Sequence, residues 1–191
     1  MHEVDALKNL IRQAFSDVSY PGDGQLVAHA NYGDEYTLTK EAFRGLENWQ
    51  TLEWAFLEDA PDGWASALLF FTPAAFRFYL PAYLLADLDK PFARAQPYFS
   101  LCFGLGDADQ TKPTSRKTRL EARYRGGQTK FEVRSHRFAE FTPSQADAVV
   151  AYLRYTLQER GMAEGMRQRI TEALQSYWLN RISDRHPQAE R

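Results

Sequence analysis

With one cysteine in 191 residues the chain cannot close an internal disulfide, which excludes cross-linked scaffolds and any site built on a cysteine pair. Its four histidines, His2, His29, His136 and His186, are far apart, and none has a second histidine or a cysteine one helical turn away, so no metal site is readable. Nucleophile elbows of the Gly-x-Ser-x-Gly type and Ser-x-x-Lys pairs are missing as well. Gly104-Leu105-Gly106 lacks the third glycine and the lysine of a phosphate-binding loop. No apolar run approaches the roughly 18 residues of a membrane span, and Met1-His2-Glu3-Val4-Asp5 lacks the basic start of a signal peptide. These absences predict a soluble, cytoplasmic, non-catalytic protein that needs no cofactor or metal.

What is present is apolar and aromatic surface, at 44% and 14% of the chain, enough to bury about 70% of the unfolded surface in one domain. Charge is unevenly spread. Residues 1–65 hold 12 acidic and 4 basic side chains, whereas residues 112–137 hold nine basic side chains against Glu121 and Glu132.

The most informative phrase runs from Phe71 to Leu88. Thr72-Pro73 reads as a helix cap and first helical residue, because the hydroxyl accepts a free backbone N–H and proline has none to leave unpaired. Phe76, Leu80 and Leu84 recur every four residues beside Tyr79 and Tyr83, which predicts burial over most of the circumference. Pro81 predicts a kink or a split into two short helices. The segment is either a bent core helix with a snorkelling Arg77, or a bend that presents Arg77, Tyr79 and Tyr83 to a ligand.

Around this phrase stand Tyr20-Pro21-Gly22 after an amphipathic helix, then Phe43, Gly45 and Trp49, and later Phe141-Thr142-Pro143 with Gln145. Together with Thr-Pro-x-Ala-Phe-x-x-Tyr-Leu-Pro-Ala-Tyr-Leu, over about residues 4–157, the pattern resembles a small bacterial family of uncharacterised proteins, a domain of unknown function. The resemblance implies a bacterial origin and no particular activity. Residues 106–137 and 161–191 stand out from it as an enlarged connection and an added C-terminal helix.

Along the chain, Val4, Leu7, Leu10, Ile11, Ala14, Phe15 and Val18 predict a first helix, Thr39 a cap for a second, and Leu52 to Leu57 a third. Glu58-Asp59 read as solvated charges. Ala67 to Phe71 is too short to classify. Tyr98 to Leu105 reads as a buried strand, which makes Cys102 an inert thiol and argues against a Cys102–His136 dyad. Leu120, Ala122 and Tyr124, then Phe131 and Val133 beyond Gly126-Gly127, alternate with charged residues and predict a hairpin over 118–135. Its outer face would set Arg123 opposite Lys130, Glu121 opposite Glu132 and Arg119 opposite Arg134, with diagonal pairs offsetting like-charge repulsion. Thr142-Pro143 with Gln145 predicts a second capped helix. Met166, Ile170, Leu174, Trp178 and Ile182 predict a last one that covers the domain or joins two copies, ahead of a frayed tail at 184–191.

The expectation is an α+β fold. A single domain over 1–160, with a hairpin insertion at 106–137, has a helical core around the Pro81 helix and a small antiparallel sheet from 98–105 and 118–135; a C-terminal helix follows over 161–191. The function expected is non-catalytic protein binding, of immunity or antitoxin type, by a monomer or a homodimer joined through the last helix. Its alternative is binding of a polyanion, nucleic acid or a phosphate ligand. Arg119, Arg123, Arg125, Lys130 and Arg134 are the candidate partner-binding residues, and Tyr124 and Phe131, on the opposite face, would pack rather than stack on bases.

Overall fold

The structure is a computed structural model that describes residues 2–27, 34–60, 67–111 and 129–183. The chain divides into two compact units, Met1–Ser100 and Leu101–Arg191.

In the first unit α1 (His2–Ala14) is amphipathic and buries Leu7, Ile11 and Ala14, continued by Phe15. α2 (Asp34–Phe43), α3 (Trp54–Asp59) and α4 (Pro73–Asp89) follow, joined by single 3-10 turns at Asp23–Gln25, Trp49–Thr51 and Ala67–Leu69. α2 starts five residues before the expected cap. Thr39 lies inside it, fully buried, and its hydroxyl bonds back to the Glu35 carbonyl at 2.7 Å, the other local use of a threonine.

α4 is the centre of this unit. The Thr72 hydroxyl accepts the Ala75 N–H at 3.1 Å with Pro73 behind it, as the sequence predicts. The helix is not split at Pro81: it runs unbroken for 17 residues and buries side chains from Ala75 to Leu88. An interior proline costs about 3 kcal/mol. Burial on several sides, against α1, α3 and the 3-10 turns, outweighs it. Tyr79 and Tyr83 are fully buried, so they face the core rather than a ligand. Phe43 meets Phe56, Phe71 and Tyr79 with ring centroids 4.8–5.0 Å apart.

The expected sheet is absent from the described residues, which form no strand; Val27 and Phe71 make an isolated bridge. The expected strand over 98–105 is instead α5 (Pro97–Cys102) and a turn, with Pro97 in the first helical position. A continuous apolar run fits a buried helix as well as a buried strand, and periodicity cannot separate them. The second strand of the hairpin is also helical, as α6 (Lys130–Arg137). Thr129 and Glu132 close a capping box there, a local signal stronger than the brief alternation of Phe131 and Val133. The rest of the hairpin, 118–128 with its Gly126-Gly127 turn, and the tail at 184–191 lie outside the described residues. The described fold is therefore all-α rather than α+β.

The second unit continues with α7 (Pro143–Glu159), opened by a capping box of Thr142 and Gln145, and α8 (Glu164–Ala173). A π-helical turn (Leu174–Trp178) leads into α9 (Leu179–Ser183). Ile170, Leu174 and Trp178 are buried, with the π turn and α9 packed on α7. A stripe repeating every four residues drifts by about 40° per step on an α-helix, and a wider π turn takes up that drift. Among the described residues Trp178 is the largest fully buried side chain: its indole N–H bonds the Leu101 carbonyl at 3.0 Å, and its ring meets Phe138 at 4.9 Å.

Candidate functional site

A groove opens on the surface of the first unit, with a volume of about 230 Å³. One side is a single face of α4, formed by Ala82, Leu85, Ala86 and Asp89, where the two alanines supply the concavity. Facing them are Trp49 and Gln50 of the 3-10 turn, Leu52, Trp54 at the start of α3, and Arg12 of α1. The turn is set locally, as the Asn48 side chain accepts the Gln50 N–H at 3.0 Å.

Trp54 is held from several directions. Its indole N–H donates to the Lys90 carbonyl at 2.7 Å, its ring stacks on Phe92 at 5.6 Å and 11°, and the Lys90 ammonium lies 3.5 Å from the ring centroid. With those ring contacts made, Trp54 offers the groove a rigid wall rather than a free stacking platform. At the rim Lys8 pairs with Asp89, and Arg12, exposed, donates to Asn9 at 3.3 Å.

Two buried carboxylates shape the loop that carries Lys90 and Phe92. Asp87, fully buried, accepts the Phe92 N–H at 3.0 Å. Glu58 of α3 accepts the backbone N–H groups of Ala93, Arg94 and Ala95 at 2.8–3.3 Å and is only 7% exposed. Glu58 is thus not a solvated charge, whereas Asp59 is exposed and pairs with Arg94. Sequence reasoning missed Glu58 because its partners lie about 35 residues away and are backbone groups, which leave no mark on residue type.

The residues of the Tyr-Pro-Gly and Phe-x-Gly elements meet at Asp23. Its carboxylate accepts the Tyr20 hydroxyl and, at 2.9 Å, the Gly45 N–H. Burial, and then the bond to Asp23, push the Tyr20 phenol up to about 12, while the same bond holds Asp23 below the usual carboxylate range. Tyr79 completes the hub by donating to the Leu46 carbonyl at 2.9 Å. These groups tie the end of α2 to α4, with the two phenols keeping their protons and Asp23 staying ionised.

Of the predicted partner-binding residues, Arg119, Arg123 and Arg125 lie outside the described residues. Lys130 and Arg134 are one turn apart on α6, not across a sheet, with Arg137 on the turn after. Arg134 is half-buried, and its guanidinium lies 5.2 Å from the centre of the Phe103 ring. Its stem passes so close to Gly104 that a Cβ there would stand 2.5 Å from Arg134 Cγ, and Gly104 has φ +82°. The glycine therefore serves both backbone and packing. Cys102 is fully buried and burial pushes its thiol pKa up, while His136 of α6 is exposed. Among the described residues no group of three or more His, Cys, Asp or Glu side chains could hold a metal ion. No helix there is long and apolar enough to cross a membrane.

Comparison with curated proteins and with solved structures gives no match. Comparison with protein families gives one that spans residues 3–182, and so takes in most of the C-terminal helix and all of the 106–137 connection that the resemblance set apart. On that match the chain belongs to DUF6714, a family of unknown function.

Proposed function

We propose that this chain is a non-catalytic, cytoplasmic bacterial protein-binding domain, of the immunity or antitoxin kind, whose groove between Trp49, Trp54 and α4 receives an apolar side chain from a basic partner. The size of the groove carries this reading. About 230 Å³ is less than the roughly 300–1,000 Å³ of small-molecule and cofactor pockets, and suits one or two side chains of another protein. Its walls and rim have the composition of an interface hot spot, with tryptophan beside arginine on rigid backbone. Residues 1–100 hold 14 acidic and 7 basic side chains, a surplus that steers a basic partner toward this unit.

The test is affinity capture from a lysate of the source organism, treated with nuclease, with the wild-type chain and Ala86→Arg side by side. The substitution fills the groove from the surface of α4, and circular dichroism verifies the helix content. The expected result is a stoichiometric basic protein held by the wild type and lost with Ala86→Arg. Equal capture by both chains, or recovery of nuclease-sensitive nucleic acid alone, overturns the proposal.

A further inference from the structure

The groove of the first unit is unbalanced in charge. Three of its lining side chains have polar ends: Arg12 of α1, Gln50 of the 3-10 turn and Asp89, the last residue of α4. The Asp89 carboxylate is already matched by the ammonium of Lys8, whose side chain is only 15% exposed and pairs with no other acid among the described residues. Arg12 has no such match there. Its guanidinium makes one hydrogen bond, to the neutral Asn9 side chain at 3.3 Å, and no ion pair, although Asp89 lines the same groove. Most of its N–H donors therefore remain open to a ligand. Gln50 is engaged through its backbone N–H, by Asn48, while its carboxamide bonds no described residue.

Around these polar ends the walls are apolar and fixed. Ala82 and Ala86 keep the floor on α4 low, Trp49 is buried, and Trp54 is pinned by the Lys90 carbonyl and the Phe92 ring. An anion at Arg12 has water excluded from one side, which strengthens a charge-assisted bond over one on an open helix face. The Lys90 ammonium, 3.5 Å from the centre of the Trp54 ring, adds positive charge at the same wall. A group that enters thus meets apolar surface along its body and unmatched donors at Arg12 and Gln50.

We infer that the groove recognises the C-terminal residue of the partner polypeptide, its apolar side chain between Trp49, Trp54 and α4 and its α-carboxylate on the Arg12 guanidinium and the Gln50 amide N–H. The inference rests on the reading of this groove as a protein-binding site and adds the chemistry of the residue that enters it. A chain end brings both groups in one residue. An internal apolar side chain lacks the charge, and an internal Asp or Glu lacks the apolar body. The acidic surplus of this unit still steers a basic partner, whose sign one terminal carboxylate does not change.

The test titrates the full chain with acetylated Gly-Lys-Gly-Lys pentapeptides ending in leucine or phenylalanine, each with a free C-terminal carboxylate and with a carboxamide. Tryptophan emission reads occupancy, since Trp49 and Trp54 line the groove, and calorimetry checks it. N-acetylleucine supplies the acid without a chain. Arg12→Gln removes the charge at an exposed position of α1, Ala86→Phe fills the groove without adding charge, and Arg154→Gln, exposed on α7, is the control. The wild type and Arg154→Gln are expected to bind a carboxylate peptide about five- to tenfold more tightly than its carboxamide. Arg12→Gln brings the two forms to equal affinity by weakening the carboxylate alone, whereas a merely structural role weakens both. Ala86→Phe loses both. Equal binding of the two forms by the wild type, with both lost in Ala86→Phe, overturns the inference and leaves the groove as a site for an internal side chain. A carboxylate preference that survives Arg12→Gln overturns it too, as does N-acetylleucine binding as tightly as the peptide. So does binding of no peptide, while Ala86-dependent capture of a basic protein from lysate reads the broader proposal separately.

Discussion

Replacing Glu58 with alanine removes the acceptor for three consecutive backbone N–H groups, those of Ala93, Arg94 and Ala95. Hydrogen bonds to a charged partner contribute about 1.5–3 kcal/mol each, and a buried donor left without a partner costs about 1–3 kcal/mol. The three bonds share one carboxylate and are not additive, and the backbone of an opened loop regains water, so the expected loss is about 3–5 kcal/mol. Glu58→Gln keeps one oxygen that still accepts, and its expected loss is about 1–2 kcal/mol. Urea unfolding followed by tryptophan emission suits the measurement, since Trp49 and Trp54 belong to the first unit and Trp54 bonds the Lys90 carbonyl just before this loop. Amide hydrogen exchange gives a second, local reading: Ala93, Arg94 and Ala95 are protected in the wild type and exposed to exchange in Glu58→Ala. A loss under about 0.5 kcal/mol, with those amides still protected, would show that the carboxylate does not hold the loop and refute the reasoning.

Two further outcomes follow from the same hydrogen-bond network and core. The Tyr20 phenol, pushed up to about 12, keeps a proton that the unfolded chain gives up near 10, so its contribution is complete below about pH 10 and is lost as the pH climbs through about 12. Asp23 works in the opposite direction, with a contribution present above its unfolded value of about 4 and lost as the pH falls through its lower folded value. Tyr20→Phe removes the first effect and the largest cause of the second, leaving the Gly45 N–H and Arg44 to hold Asp23 down, and an ultraviolet phenolate titration whose amplitude near pH 12 does not fall by one tyrosine in this variant contradicts the assignment. In the second unit Trp178→Ala empties the largest buried site and leaves the Leu101 carbonyl without its indole donor, for an expected loss of about 3–5 kcal/mol. Thermal unfolding by circular dichroism checks this, and a variant as stable as the wild type would mean that Trp178 is not a core anchor.

The helix starts at Thr72-Pro73 and Thr142-Pro143 were legible because a cap joins groups three residues apart, and three neighbouring residue types suffice to specify it. The burial of Cys102 was legible too, since the surrounding run is apolar whichever element it forms. The type of that element was not, as Tyr98 to Leu105 carries no period that separates helix from strand. In Lys130–Arg137 the Thr129–Glu132 pair forms a capping box, whereas the alternation of Phe131 and Val133 that suggested a strand is too short to specify one.

The candidate sites belong to the other class. The groove takes residues from α1, the Trp49–Thr51 turn, α3 and α4, and the cluster over the Phe103 ring takes its arginines from α6 and α8. The sequence by itself determined where capped helices begin, how charge divides along the chain and which side chains are apolar enough to be buried, because those properties depend on residue type and near neighbours. Tertiary structure alone decided that Glu58 faces three amides, that Gly104 yields to Arg134 and that two arginines meet over one ring, because each contact joins groups 30 or more residues apart.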